Sequence, residues 1–134
     1  MSIRGIHHVA VTVSDAGKSA EWYSNVLGFT VIADFEEAGG QRRKVVMTSP
    51  ALSTRIGFVE HRGATAGVFD ERVPGLDHIS FSFELSQLDA LLATLDAHGV
   101  TYSPSAPSVM NPDARVVVLR DPDNIQLEIY AEPA

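Results

Sequence analysis

Two stretches of this chain open alike: Gly5-Ile6-His7-His8 near the start and Gly75-Leu76-Asp77-His78 past the middle. Each leads into an alternating segment and then into a helical stripe. A unit used twice constrains the fold more than composition does, because two copies of one small module must share a single hydrophobic centre. At 134 residues the chain suffices for one core but not for two independent ones. A duplicated imidazole at matching positions is also what a metal site between two half-modules requires.

In the first copy Val9, Val11 and Val13 alternate with His8, Ala10 and Thr12, the pattern of a half-buried strand. Asp15 is placed to cap a helix whose Ala20, Tyr23 and Leu27 fall on one face, and Gly28 offers a left-handed stop. Strands are predicted near Thr30 to Phe35, Lys44 to Thr48 and Thr54 to His61, followed by a Gly-, Ala- and charge-rich linker. The second copy repeats the order. Ile79, Phe81 and Phe83 oppose His78, Ser80 and Ser82 on a strand. Ser86 and Asp89 suggest a capping box, Leu88, Leu91, Leu92 and Leu95 form a helical stripe, and Gly99 ends it. Strands follow near Val100 to Tyr102, Arg115 to Arg120 and Ile125 to Ala131, with Asp121-Pro122-Asp123-Asn124 as a tight turn. The expectation is an α+β fold of tandem pseudo-twofold βαβββ modules in one domain spanning 1–134. Module one covers about 1–62, the linker about 62–74 and module two about 75–134.

Pattern also supplies a carboxylate. Ile125, Leu127 and Ile129 face one way on the last strand, leaving Gln126, Glu128 and Tyr130 on the other, so Glu128 joins His8 and His78 as a candidate metal ligand. Two imidazoles and a carboxylate, with positions left open, suit Fe, Mn, Ni, Zn or Co as a divalent ion. Stepping back by the internal repeat matches Glu128 to Gly57, which has no side chain to offer, while His61 lies two pleats further along the same face as a candidate proton carrier. Tyr130 shares the Glu128 face and is the second catalytic candidate. His7 reads as structural, and His98 as a charge partner for a helix C-terminus. Arg43, Arg55 and Arg115 are candidate anion handles, and Trp22, Phe35, Met47 and Met110 candidate apolar walls. The loop from Ser103 to Asp113 is placed to act as a rim.

Bulk properties narrow the classes. Ten basic against seventeen acidic residues give a net charge of −7, which works against a nucleic-acid partner. The absence of cysteine excludes disulfides and thiolate ligands. No apolar run has membrane-spanning length and no signal-peptide h-region opens the chain, so no membrane partner and a cytoplasmic location are expected.

The runs His7-His8-Val9-Ala10-Val11-Thr12-Val13-Ser14-Asp15, Trp22-Tyr23 with Leu27-Gly28-Phe29, Gly75-Leu76-Asp77-His78-Ile79 and Asp121-Pro122-Asp123-Asn124-Ile125-Gln126-Leu127-Glu128 together resemble the vicinal oxygen chelate superfamily, the glyoxalase, bleomycin-resistance and dioxygenase group. The resemblance implies curved mixed sheets around a cavity, a homodimer, and a divalent metal held at His8, His78 and Glu128 that polarises a small-molecule substrate with adjacent oxygens. Glyoxalase I, which the chain also resembles, has a fourth ligand at the position of Gly57. The final turn lacks the glycine frequent in the family between Asp and Asn. The expected activity is that of a metal-dependent isomerase or lyase of glyoxalase type. The alternatives are a small non-haem Fe(II) dioxygenase and a non-catalytic drug-binding resistance protein.

Overall fold

The computed structural model describes residues 1–64 and 67–134, so Thr65 and Ala66 of the predicted linker lie outside the described residues. The chain forms two compact units, Met1–Gly67 and Val68–Ala134. Each contains a four-stranded mixed sheet and one α-helix, in the glyoxalase-like βαβββ order.

In the first unit β1 (His8–Thr12) is followed by α1 (Ala16–Leu27), β2 (Thr30–Glu37), β3 (Arg42–Thr48) and β4 (Arg55–His61). The sheet order is β1-β4-β3-β2, with β1 parallel to β4 and the other pairs antiparallel. Parallel pairing of the first strand with the last demands a long crossover, and α1 with β2 and β3 supplies it. The helix starts where its sequence says: the Asp15 side chain accepts from the Lys18 N–H at 2.9 Å, and Gly28 takes the left-handed conformation that closes its end. The Glu60 carboxylate accepts from the Ala16 N–H at 2.9 Å, which ties the helix N-terminus to β4. Tyr23, fully buried, stacks on Phe29 at 5.8 Å between ring centroids and tilts against Phe58 at 4.5 Å. Val45, Met47 and Ile56 complete the buried apolar set on this face.

In the second unit β5 (Ile79–Glu84) leads through a 3₁₀ turn (Leu85–Gln87) to α2 (Leu88–Ala97), then β6 (Ala106–Pro107), β7 (Arg115–Arg120) and β8 (Gln126–Glu132). The order β5-β8-β7-β6 repeats the first sheet, again with its first strand parallel to its last. Leu88, Leu91 and Leu95 of α2 are buried, as are Val117, Leu119, Leu127 and Ile129 of the sheet.

Three local expectations are corrected. The capping box does not form, because the 3₁₀ turn moves the helix start to Gln87 and the Ser86 hydroxyl donates to Glu84 instead. The strand expected at Val100 to Tyr102 shrinks to one bridge between Tyr102 and Leu119. Its place at the sheet edge passes to Ala106–Pro107, kept short by prolines that cannot donate to a ladder. Conversely β2 and β3 run longer than their apolar cores, because Glu37 and Arg42 pair at 2.8 Å across their ends. In the last turn Asn124 adopts the left-handed conformation in which a glycine is usual (φ 65°), while the Asp121 side chain accepts from the N–H groups of Asp123 and Ile125.

Replacing Phe58 by alanine should cost about 3–5 kcal/mol, since it deletes a fully buried ring that Tyr23 leans on. The urea midpoint checks this, and a loss below about 1 kcal/mol would show that the aromatic cluster does not anchor the first unit.

Candidate metal centre

Strand alternation sorts the first sheet into two faces. Ile56 and Phe58 of β4 are buried and Glu60 reaches α1, so Arg55, Gly57, Val59 and His61 lie on the opposite face. On that face β1 contributes His8, Ala10 and Thr12. Register places His8 opposite Arg55, and Ala10 opposite Gly57. In the second unit Ser80 lies opposite Glu128 and Val118 opposite Glu128 from the other side, just as Ala10 and Val46 flank Gly57. The three strands around this position therefore correspond in register between the two sheets, and Gly57 is the counterpart of Glu128.

Both candidate imidazoles are contacted at Nδ1 by the residue just before them. His8 Nδ1 lies 2.9 Å from His7 Nδ1, and His78 Nδ1 lies 2.7 Å from the Asp77 carboxylate. His78 Nδ1–H donates to the Asp77 carboxylate and so keeps the Nε2 lone pair for coordination. In the first copy, by contrast, Arg55 donates into His7 Nε2, so that His7 Nδ1–H donates to His8 Nδ1 and the proton of a neutral His8 ring sits on Nε2, from which a cation must displace it. His7 in turn meets Arg55 Nη1 through Nε2 at 3.3 Å, so it is an exposed positioning residue rather than part of the valine face. Glu128 is half-buried and accepts from the Ser80 hydroxyl at 2.7 Å through one oxygen, keeping the other for a ligand.

His78 also has deeper support. Gln126 donates through Nε2 to the Asp77 side chain at 3.2 Å and to its carbonyl at 3.3 Å. Arg120 donates to Gln126 Oε1 at 3.1 Å and forks onto Glu71 at 2.7 and 2.9 Å. This line of contacts fixes the backbone and side chain next to His78. The Arg120 guanidinium holds the Glu71 carboxyl down at about 2, well below its ordinary 4.5.

Among the described residues, no three His, Asp or Glu side chains are gathered as a metal cluster; each unit carries part of the donor set. Tyr130 lies one pleat beyond Glu128 on the same face, and its hydroxyl donates to Ser108 at 3.0 Å. Ser108 is buried and also accepts from the N–H groups of Met110 and Asn111, so the Ser103–Asp113 loop is pinned rather than loose. His61 closes β4 opposite Arg42. Because β1 and β4 run parallel and His8 faces Arg55, about 20 Å of extended strand at roughly 3.3 Å per residue separates His61 from the His8 end.

Other expectations are redistributed. Arg43 points to the α1 side and forks onto Asp34 at 2.8 and 3.0 Å, holding that carboxyl below its usual range, so it is no anion handle. Met47 is core, fully buried. His98 behaves as expected, with Nδ1 at 2.9 Å from the Thr94 carbonyl at the end of α2. Arg55 lines an open cleft of about 590 Å³ together with Arg4, His7, Ile32 and Thr48. Asp77, Ser80, Gln126 and Arg120 escaped sequence reasoning. Asp77 and His7 share the position before the repeated histidine, which was the available signal.

The model of the Glyoxalase/Bleomycin resistance protein/Dioxygenase superfamily matches residues 5–129. The chain belongs to this superfamily. Among superfamily structures it is similar to a glyoxylase/bleomycin resistance protein/dioxygenase domain from Frankia sp. EAN1pec, with 31% identity and a TM-score of 0.86 over 98% of this chain and 93% of that one. A mutant of the fosfomycin resistance protein FosX from Listeria monocytogenes, complexed with Mn(II) and 1S,2S-dihydroxypropylphosphonic acid, shares the fold at a TM-score of 0.76 and 20% identity, over 98% and 94% of the two chains. In sequence the superfamily chain is 26% identical to the uncharacterized protein YwkD of Bacillus subtilis (strain 168), over 98% of its own length and 100% of that protein. No helix among its described residues is long and apolar enough to cross a membrane.

The depressed Glu71 carboxyl gives the second unit a pH signature. Its folded value of about 2 lies below the ordinary 4.5, so the Arg120 pairing contributes stability that is complete above 4.5 and is lost as pH falls toward 2. Glu71→Gln should therefore lower the urea midpoint by a constant amount at neutral pH, and the difference should close in acid. A difference independent of pH would refute the pairing.

Proposed function

We propose that this chain is a divalent-metal-dependent enzyme acting on a small molecule with adjacent oxygens, of isomerase or lyase type. The observation that carries the reading is the repeated placement of two imidazoles: His8 and His78 stand at matching positions of the two units, each contacted at Nδ1 by the preceding residue, and His78, donating to Asp77, keeps the Nε2 lone pair. With Glu128 they make a nitrogen-rich, thiolate-free donor set that fits Mn, Fe, Ni, Zn or Co. A bound cation would supply Lewis acidity toward substrate oxygens in the positions the protein leaves open.

The rest is the work of the chain's own groups. Ser80 fixes which Glu128 oxygen is free, and Asp77, held by Gln126, sets the tilt and tautomer of His78. Tyr130, on the Glu128 face, is our candidate to deliver or accept a proton at the substrate. His61, at the far end of β4, is assigned to the rim rather than to the reacting atoms. We expect a homodimer, as the superfamily resemblance favours, and a cytoplasmic location.

A second reading rests on Gly57. A three-ligand set without a fourth protein carboxylate leaves more open positions than a four-ligand glyoxalase centre, which suits Fe(II) and O₂ in a small dioxygenase. FosX, with Mn(II) and a dihydroxypropylphosphonic acid bound, supports a chelated small substrate at the level of the fold.

Anaerobic loading with Mn(II) followed by elemental analysis should give a stoichiometric ion in the wild-type chain. His78→Ala and Glu128→Gln should abolish it while the circular dichroism spectrum is retained. Asp77→Asn should weaken Mn(II) binding about 10- to 100-fold. Full occupancy in both ligand variants overturns the site. Substrate-dependent O₂ uptake by the Fe(II)-loaded protein would decide for the dioxygenase reading.

A further inference from the structure

The place of a fourth ligand is not vacant space. A β-carbon built on Gly57 would lie 2.8 Å from Lys44 Cε, 3.8 Å from Lys44 Nζ and 3.6 Å from the Ala10 methyl. Gly57 has no need of glycine's backbone freedom, since its φ lies outside the left-handed range that other glycines of this chain occupy. Its small size is what the structure uses: the stem of Lys44 lies where a side chain at 57 would stand.

Register explains how the stem arrives there. Lys44 of β3 lies opposite Val59 of β4 on one side and Phe35 of β2 on the other, one pleat away from Gly57. Its side chain leans back diagonally over Gly57, toward Ala10 and so toward the His8 end of the sheet. The ammonium makes no ion pair or hydrogen bond with another described residue. Arginines in the same unit do otherwise: Arg42, Arg43 and Arg62 hold Glu37, Asp34 and Glu36 at 2.8 Å. Lys44 is half-buried, with Val46, Val59 and Phe35 beside it on that face. An ammonium among such neighbours favours an anionic partner, and the described residues supply none. Arg55, one pleat from Gly57 on the same face, donates to the His7 ring and has no anionic partner among the described residues.

We propose that Lys44, standing over Gly57, is a specificity-determining residue that binds an anionic group of the substrate, a carboxylate or a phosphate-like oxyanion, beside the metal-chelating part. The inference rests on the proposed function for the word substrate, but anion binding at Lys44 is testable without metal.

The probe is sulfate, titrated into the full-length chain in both metal-free and Mn(II)-loaded forms while the side-chain ammonium signals are followed by NMR. Saturable binding that shifts the Lys44 signal is expected in both forms. Lys44→Met should weaken it at least tenfold, Lys44→Arg should retain it, and Lys18→Met, which removes an exposed helix charge, should leave it unchanged. Gly57→Ala should also weaken it, because the new methyl displaces the lysine stem. No saturable sulfate binding, or equal loss in the Lys18 and Lys44 variants, overturns the proposal. Mn(II) stoichiometry is read in the same samples: its absence from the wild type refutes the metal reading, while the metal-free titration still judges Lys44.

Discussion

The placement of the candidate site residues in each unit depends on one pairing, the parallel ladder between its first strand and its last. Hydrogen bonds of β1 to β4 and of β5 to β8 bring residues far apart in sequence side by side, and they do so in the same register twice. Ser80 meets Glu128 only because of that register. A slip of one residue would turn every candidate ligand to the helix side, and the buried rows Ile56 and Phe58, or Leu127 and Ile129, make such a slip expensive by exposing them. The polar face is thus located by the apolar one. The candidate ligands therefore need no stabilising role of their own.

Those apolar rows are also why so much of the fold was legible. Alternation fixed the faces of β1, β4, β5 and β8, and Asp15 and Gly28 marked both ends of α1. The repeat then set the order of elements. Illegible were features decided by contacts across the sheet. The extension of β2 and β3 comes from the Glu37–Arg42 pair at their ends, and the false capping box at Ser86 fails because a 3₁₀ turn intervenes before α2. Neither leaves a local signature. The site divides in the same way. His8, His78 and Glu128 stood out because repetition and alternation select them, whereas the Gln126–Arg120–Glu71 line behind Asp77 is assembled from a strand, its neighbour and a distant loop. His61 shares a face with Gly57 but closes β4 at the end away from His8, a separation along the strand that alternation alone does not express.

The near-perfect correspondence of the two units makes their difference at one position informative. Glu128 is a half-buried carboxylate with a hydroxyl on one oxygen. Its counterpart Gly57 is covered by Lys44, whose own counterpart across the repeat is Val116, since Lys44 faces Val59 and Val116 faces Tyr130. Charge at equivalent places has therefore been inverted, from a carboxylate beside a valine to a glycine beneath an ammonium. A fourth protein carboxylate would neutralise part of a divalent ion's charge and fill one of its positions. An ammonium in its place does neither, and its repulsion of a cation is relieved when an anionic ligand lies between them. On the proposed reading, an anionic substrate group at Lys44 would restore the negative charge that a carboxylate at position 57 would have carried, which would couple affinity for the small molecule to that missing charge.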